Sequence, residues 1–195
     1  MGRKLLVIDG HPDPADARLC HALAKAYVDG ARRAGHDVSV IRPADLDFTF
    51  LHSKEEFEKQ QPVADIRLAQ QAIEAADHLV LVYPLWMGTM PALLKAFLEQ
   101  VLRPGFAFGP GDGGSMPRKR LGGRSARIVV TMGMPVFVYR WYFRAHGLKS
   151  LERNILKLCG IKPVRESLFG MVEASSEARR AKWLRAMRQL GTQGR

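Results

Sequence analysis

Residues 78–101 place the strongest constraint on what this chain can fold into. The near-continuous apolar run His78-Leu79-Val80-Leu81-Val82 is followed at once by Tyr83-Pro84-Leu85-Trp86-Met87-Gly88-Thr89 and then by the helix-forming stretch Pro91 to Val101. A run without polar alternation reads as a strand buried on both faces, as inside a parallel sheet covered by helices. Pro91 suits the first turn of the helix, where a missing N–H has no partner to lose. In open parallel sheets ligands bind beyond the carboxyl ends of the strands. Pro84, Leu85, Trp86, Met87 and Gly88 are therefore expected in a pocket wall, with Trp86 and the backbone amides of Trp86 and Met87 facing the occupant. An indole at such a place suits a planar ligand.

The rest of the chain repeats the alternation of strand and helix. Lys4 to Asp9 reads as a strand, Leu19 to Ala34 as a helix closed by Gly35, and Val38 to Ile41 as the next strand. Ser53 and Glu56 form a candidate capping box for a short helix, and Asp65 to Ala76 reads as a longer one. Arg103 to Gly123 is a glycine- and proline-rich loop, and Ile128 to Thr131 reads as a fourth strand. Leu148 to Leu158 forms a helix with Gly160 past its end, Val164 to Met171 a fifth strand, and Ser176 to Leu190 a last helix. The expected fold class is α/β: a flavodoxin-like, doubly wound, five-stranded parallel sheet of order 2-1-3-4-5 with helices on both faces, in one domain over residues 1–195.

At 195 residues one domain buries about 70% of its extended-chain surface, enough for a core without staples. The two cysteines, Cys20 and Cys159, form no Cys-x-x-Cys, so neither a disulfide framework nor a zinc knuckle is expected, and no metal. No apolar run approaches the roughly 18 residues of a membrane span, and Met1-Gly2-Arg3-Lys4 runs directly into a strand. A cytoplasmic protein with no integral membrane segment is expected. The net charge of +11 raises nucleic-acid binding. Its densest cluster, however, Arg179 to Arg188, alternates with Ala181, Trp183, Leu184 and Met187 as the solvated face of an amphipathic helix does. No nucleic-acid partner is expected.

Two further loops follow carboxyl strand ends. Gly10 to Cys20 leads into a helix whose free amides and positive dipole end suit a phosphate. His11 and Arg18 stand there to add charge-assisted bonds, with Leu19 and Cys20 opening the helix. Asp13 and Asp16 are expected to cap that helix and face solvent. The chain has neither Gly-x-Gly-x-x-Gly nor Gly-Lys-Ser/Thr in this loop, so neither a Rossmann fingerprint nor a P-loop builds the site. The third loop, Thr131-Met132-Gly133-Met134-Pro135, offers a glycine for close backbone approach to the other side of a ring.

Together these residues carry a resemblance. Gly10-His11-Pro12, Pro84-Leu85-Trp86, Met90-Pro91-Ala92-Leu93-Leu94-Lys95, Gly105-Phe106-Ala107-Phe108, Thr131-Met132-Gly133 and Ala145-His146-Gly147 make the chain similar to the flavodoxin-fold NAD(P)H:quinone oxidoreductases over most of its length. The resemblance implies a bound flavin, with FAD favoured over FMN because Arg179 matches a position that meets the adenosine half. It implies NAD(P)H and a quinone or similar planar small molecule as alternating partners in a two-step hydride exchange. Tyr139 and His146 would stabilise charge on the flavin, with Arg140, Trp141 and Tyr142 beside Tyr139 as candidates for its place. Phe106 and Phe108 would line the substrate face across the interface of a homodimer with a shared active site. The chain departs from the family at Ala17 and Arg18, where hydroxyl residues are usual, and at Met134, where a second glycine is usual.

Two alternatives stand beside this reading. A flavin-bearing regulatory subunit of a membrane transport system shares the fold and the loops. A phosphoacceptor receiver shares the strand order and an aspartate at Asp9, but its third strand would need an acceptor aspartate where Tyr83-Pro84 stands.

Overall fold

A computed structural model describes residues 2–15, 17–110 and 118–195. Asp16 and part of the Arg103 to Gly123 loop lie outside the described residues. The elements in chain order are β1 (Lys4–Asp9), α1 (Leu19–Arg33), β2 (Asp37–Ile41), a 3-10 turn (Pro43–Asp45), α2 (Lys54–Lys59), α3 (Ala64–Ala75), β3 (His78–Pro84), α4 (Ala92–Val101), β4 (Phe108–Gly109) and β5 (Arg118–Lys119). They continue with β6 (Ser125–Thr131), α5 (Val136–Trp141), α6 (His146–Lys149), a π-helical stretch (Ser150–Leu156), α7 (Lys157–Cys159), β7 (Val164–Phe169) and α8 (Glu177–Thr192).

Five parallel strands form one sheet of order β2-β1-β3-β6-β7, the flavodoxin-like order expected from the sequence. The apolar strands serve both faces because successive side chains alternate. Leu6, Ile8, Leu79, Leu81, Ile128 and Val130 pack on one face among α3, α4 and the helices after β6. Leu5, Val7, Val80, Val82 and Val129 pack on the other against α1 and α8. Each fully buried aliphatic side chain contributes about 1.5–3 kcal/mol, so a continuous apolar strand is the economical choice at the centre of the sheet.

Several boundaries differ from the sequence reading. Pro91 is the residue before α4 rather than in its first turn. The helix expected from Leu148 begins at His146 and runs through the π-helical stretch, ending at Gly160, whose φ of +100° is the left-handed close expected there. α5 was not foreseen: Val136 to Trp141 lacks an apolar stripe at helical spacing, and only its seat on the core makes it a helix. β7 stops at Phe169 because Gly170 turns the chain against Met134, where an added Cβ would lie 2.7 Å from its carbonyl oxygen. β4 and β5 pair as a short antiparallel hairpin within the long loop.

Candidate functional site

Register brings the carboxyl ends together. Asp9 pairs with Val82 across β1 and β3, and Pro84 pairs with Thr131 across β3 and β6, so the three loops that follow emerge side by side. They enclose a cleft of about 400 Å³.

The first loop is organised by charge. Arg18 is the N-cap residue of α1 and offers no side-chain cap. Asp13 does not cap the helix, contrary to expectation. Its carboxylate accepts the Ala15 N–H at 2.9 Å and the Arg18 Nε at 2.8 Å, which closes an ion pair. The Ala15 bond first, and then the guanidinium, hold this exposed carboxyl below its usual range. The first α1 amides therefore lack a carboxylate in front of them among the described residues, which suits an anion. Below the loop, buried Asp9 accepts the His11 N–H at 3.4 Å, and His11 Nδ1 accepts the Asp13 N–H at 3.1 Å. Burial, followed by the neighbouring charge of His21, lowers the His11 pKa and keeps its ring neutral. Cys20 Sγ lies 3.2 Å from Thr131 Oγ1, tying the first loop to the third, and burial pushes its thiol up to about 12. A thiol so placed is a packing group, as expected, rather than a nucleophile.

The second loop is a tight turn. Trp86 N–H donates to Thr89 O at 2.9 Å and Thr89 N–H donates back at 3.0 Å, with φ of +48° at Met87 and +81° at Gly88. Positive φ at both central residues makes a type I′ turn, and Gly88 adopts it freely. The Trp86 amide, expected to face a ligand, is thus consumed within the turn, and the Leu85 amide is consumed by Thr131 O at 2.7 Å. The Met87 amide has no partner among the described residues. Trp86 is 48% exposed and stands edge-on to His11, at 6.2 Å between ring centroids.

The third loop is backed by one that sequence reasoning missed. Met132 N–H donates to Phe169 O at 2.8 Å, and Val172 N–H donates to Met132 O at 3.2 Å, so the segment after β7 closes on the loop after β6. Gly133 makes this approach possible: a Cβ there would lie 2.9 Å from the Glu173 carboxylate. Val172, Glu173 and Arg180 consequently join the cleft wall. The rule that ligands meet carboxyl strand ends, applied also to β7, would have found them.

The cleft brings together His11, Arg18, Leu19 and Cys20 from the first loop, Pro84, Leu85 and Trp86 from the second, and Thr131, Met132 and Gly133 from the third. Met87, Gly88 and Met134 belong to the same loops without lining it. Arg179 is turned away, with its guanidinium 5.2 Å from the Trp183 ring centre, while Arg180 faces the cleft and is held by Ser175 Oγ at 2.9 Å and Val172 O at 3.1 Å.

Tyr139 and His146 do not line the cleft. Tyr139 is 1% exposed, and its hydroxyl accepts the Leu148 N–H at 3.1 Å. Exposed His146 opens α6 after Arg144 and Ala145, whose φ values of +52° and +50° turn the chain sharply. Such paired left-handed residues persist only where the surroundings impose them. Here α6 abuts the second loop so closely that a Cβ on Gly147 would lie 2.3 Å from Gly88 O. Phe106 packs against the core, and Phe108 lines a separate apolar groove of about 370 Å³ beside Leu98, Ile155 and Cys159. Within one chain neither phenylalanine reaches the cleft. Among the described residues no group of three metal-ligating side chains converges, and no helix is long and apolar enough to cross a membrane.

Comparison with known proteins agrees with this architecture. A protein family described as Flavodoxin-like fold matches residues 3–190. The chain is 29% identical over 181 residues to an uncharacterized NAD(P)H oxidoreductase of Haemophilus influenzae, covering 90% of this chain and 88% of that one. It is 26% identical to the ribosyldihydronicotinamide dehydrogenase [quinone] of Mus musculus, covering 97% and 92%. A glutathione-regulated potassium-efflux system ancillary protein of an Enterobacter species is 30% identical over 70% of this chain and 62% of its own length. Among solved structures, the NAD(P)H:quinone oxidoreductase of Methanothermobacter marburgensis superposes with a TM-score of 0.82 at 21% identity, covering 98% and 96%. That likeness is one of fold.

Proposed function

This chain belongs to the flavodoxin-like fold family, and from that premise we propose that it is a flavin-dependent NAD(P)H oxidoreductase acting on a quinone or similar planar acceptor. The observation that carries the reading is the cleft of about 400 Å³ in which three loops meet an open helix N-terminus and a half-exposed indole. Its size suits a ring system, and the α1 amides with Arg18 suit a phosphate. The bound flavin supplies the capacity to accept hydride and to release it to a second substrate.

This chain's residues would bind and orient. Arg18 and the α1 N-terminus would hold the phosphate, Met132 and Gly133 would line the ring pocket, and Trp86 would wall the slot shared by the two substrates. The neutral His11 stays beneath Trp86 as a packing and hydrogen-bonding group. His146, at the start of α6 where that helix abuts the second loop, would stabilise charge on the flavin, and Tyr139 acts behind it, fixing the start of α6 through Leu148. FMN is the cofactor this geometry favours. The preference for FAD rested on Arg179, which stacks on Trp183 instead. A second copy of the chain would complete the substrate face with Phe106 and Phe108, which a single chain leaves away from the cleft. One domain spanning residues 1–195, working in the cytoplasm, fits these roles.

The potassium-efflux relative supports a second reading, a flavin-bearing regulatory subunit. Visible absorption of the protein loaded with FMN, followed by anaerobic NADPH and then a quinone, separates the two. Flavin bands that bleach and return are expected of the oxidoreductase. Bound flavin that NADPH fails to reduce would transfer the assignment to the regulatory subunit, and absence of flavin binding would overturn both.

A further inference from the structure

The β1–α1 loop contains a histidine whose two acceptor partners phosphate binding alone does not explain. His21 sits in the first turn of α1 with a ring that is nearly buried, side-chain exposure being 10%, beside an Asp9 at 5%. Its Nδ1 lies 2.5 Å from Asp9 Oδ2, and its Nε2 lies 2.9 Å from the backbone oxygen of Asp13. A carboxylate and a carbonyl are both acceptors, whereas a neutral imidazole has one N–H and one bare nitrogen. Either neutral tautomer would aim a lone pair at an oxygen across a hydrogen-bond distance. One more proton removes the conflict and leaves an imidazolium donating to both.

Through these bonds one ring controls the loop. Asp13, held by His21 through its carbonyl, holds Arg18 through its carboxylate and His11 through its N–H. Asp9, which holds His21, also accepts the His11 N–H. The charged groups around the ring are Asp9 from β1, His11, Asp13 and Arg18 from the loop, Lys25, Asp29 and Arg32 from α1, and Arg42 beyond β2. Lys25 is paired with Asp29 at 3.5 Å, Arg42 with Asp45 at 3.5 Å, and Arg18 with Asp13. Asp9 is thus the described carboxylate left to balance His21.

We propose that His21, held as an imidazolium by Asp9, is the pH-dependent clamp of the phosphate-binding loop. Protonated, it fixes Asp13 and with it Arg18, and it adds positive charge beneath the bound anion. When the proton leaves, the Nε2 bond or the Nδ1 bond is lost, the loop loosens, and phosphate is held less tightly. His21 is a positioning residue that acts through Asp13 and Arg18. The proposal rests on the phosphate assignment above.

Two measurements on the full chain test it. Imidazole nitrogen NMR from pH 5 to 9 reads the charge on His21 with no flavin present. Fluorescence quenching gives FMN and riboflavin affinities over the same range for the protein and for His21→Gln. The second ionisation of a phosphate monoester, near pH 6, affects both proteins alike, so the ratio of their FMN affinities isolates the ring. We expect an advantage over His21→Gln of about tenfold at low pH, the scale of one charge-assisted bond, that vanishes across the midpoint seen by NMR. Riboflavin, which lacks the phosphate, should show no such step. A His21 that is neutral throughout, or an affinity ratio independent of pH, overturns the clamp. If no flavin binds, the flavin reading has failed separately, and sulfate titrated against the Leu19 to His21 amide signals decides in its place. A sulfate affinity that falls as His21 deprotonates upholds the clamp, and a constant one removes it.

Discussion

At the carboxyl end of the sheet, Asp9, His21, Asp13 and Arg18 are linked by polar contacts of 2.5 to 2.9 Å, with the His21 ring between the Asp9 carboxylate and the Asp13 backbone oxygen. At the amino end, the buried polar groups are held by neutral partners. Arg127, 6% exposed, donates to Ser167 Oγ at 2.9 Å and Glu166 O at 3.3 Å, and Arg3 donates to Gly194 O at 2.6 Å. His78 Nδ1 meets Ser125 Oγ at 2.7 Å, while its Nε2 has no partner among the described residues. Burial, followed by the charges of Arg3, Arg127 and Arg165, pushes His78 down to about 3. The same residue type is thus arranged in opposite ways: one end surrounds its histidine with arginines, and the other sets a carboxylate against it. The difference follows from partners rather than from depth, since both histidines are largely buried.

Four measurements would break or sharpen this contrast. The largest effect is expected at the junction of α6 with the second loop. Gly147→Val should lower stability by about 3 kcal/mol and abolish flavin binding, because its side chain would collide with backbone at Gly88 and Thr89. Urea unfolding with unchanged midpoint would show that the two segments are not locked together.

The amino end is tested by acid. His78 has a folded pKa near 3 against an ordinary 6.5, so below pH 6.5 the unfolded chain takes up a proton that the native one refuses. Stability should therefore fall as pH drops through the window from 6.5 toward 3, by about 2 kcal/mol from this group at pH 5. His78→Asn should flatten the dependence of Tm on pH between 7 and 5; an unaltered slope would place the acid sensitivity elsewhere.

Third comes the phosphate anchor. Arg18→Ala should weaken FMN about tenfold and leave riboflavin unaffected, as loss of one charge-assisted bond requires. Equal losses for both flavins would remove the guanidinium from the phosphate. His146→Ala, the smallest change, should slow single-turnover reduction of the bound flavin several-fold, roughly 1 kcal/mol, with flavin content intact. An unchanged rate would exclude His146 from the chemistry.

Much of this arrangement could be read before any coordinates. The apolar run from His78 to Val82 forced a covered parallel sheet, and the loops after β1, β3 and β6 did converge. Arg180 was missed by one position, because the helical phase at the start of α8 is set by Ser176, which accepts the Arg179 N–H at 3.3 Å, and by the packing of α8 on α1. At Gly191 that packing is so close that a Cβ would lie 2.0 Å from Tyr27 O. The amide of Trp86 was assigned to a ligand because local sequence does not reveal that Met87 enters the left-handed region and closes a type I′ turn.

The sequence by itself determined the alternation of strands and helices, the site-forming edge and the residue types along it, because hydrophobic period and chain connectivity are local and additive. Only the tertiary structure decided which atoms are free to bind and which partners each buried histidine meets. Both depend on partners brought from distant elements, Asp9 to His21 and Ser125 to His78. A one-dimensional pattern carries no record of such meetings.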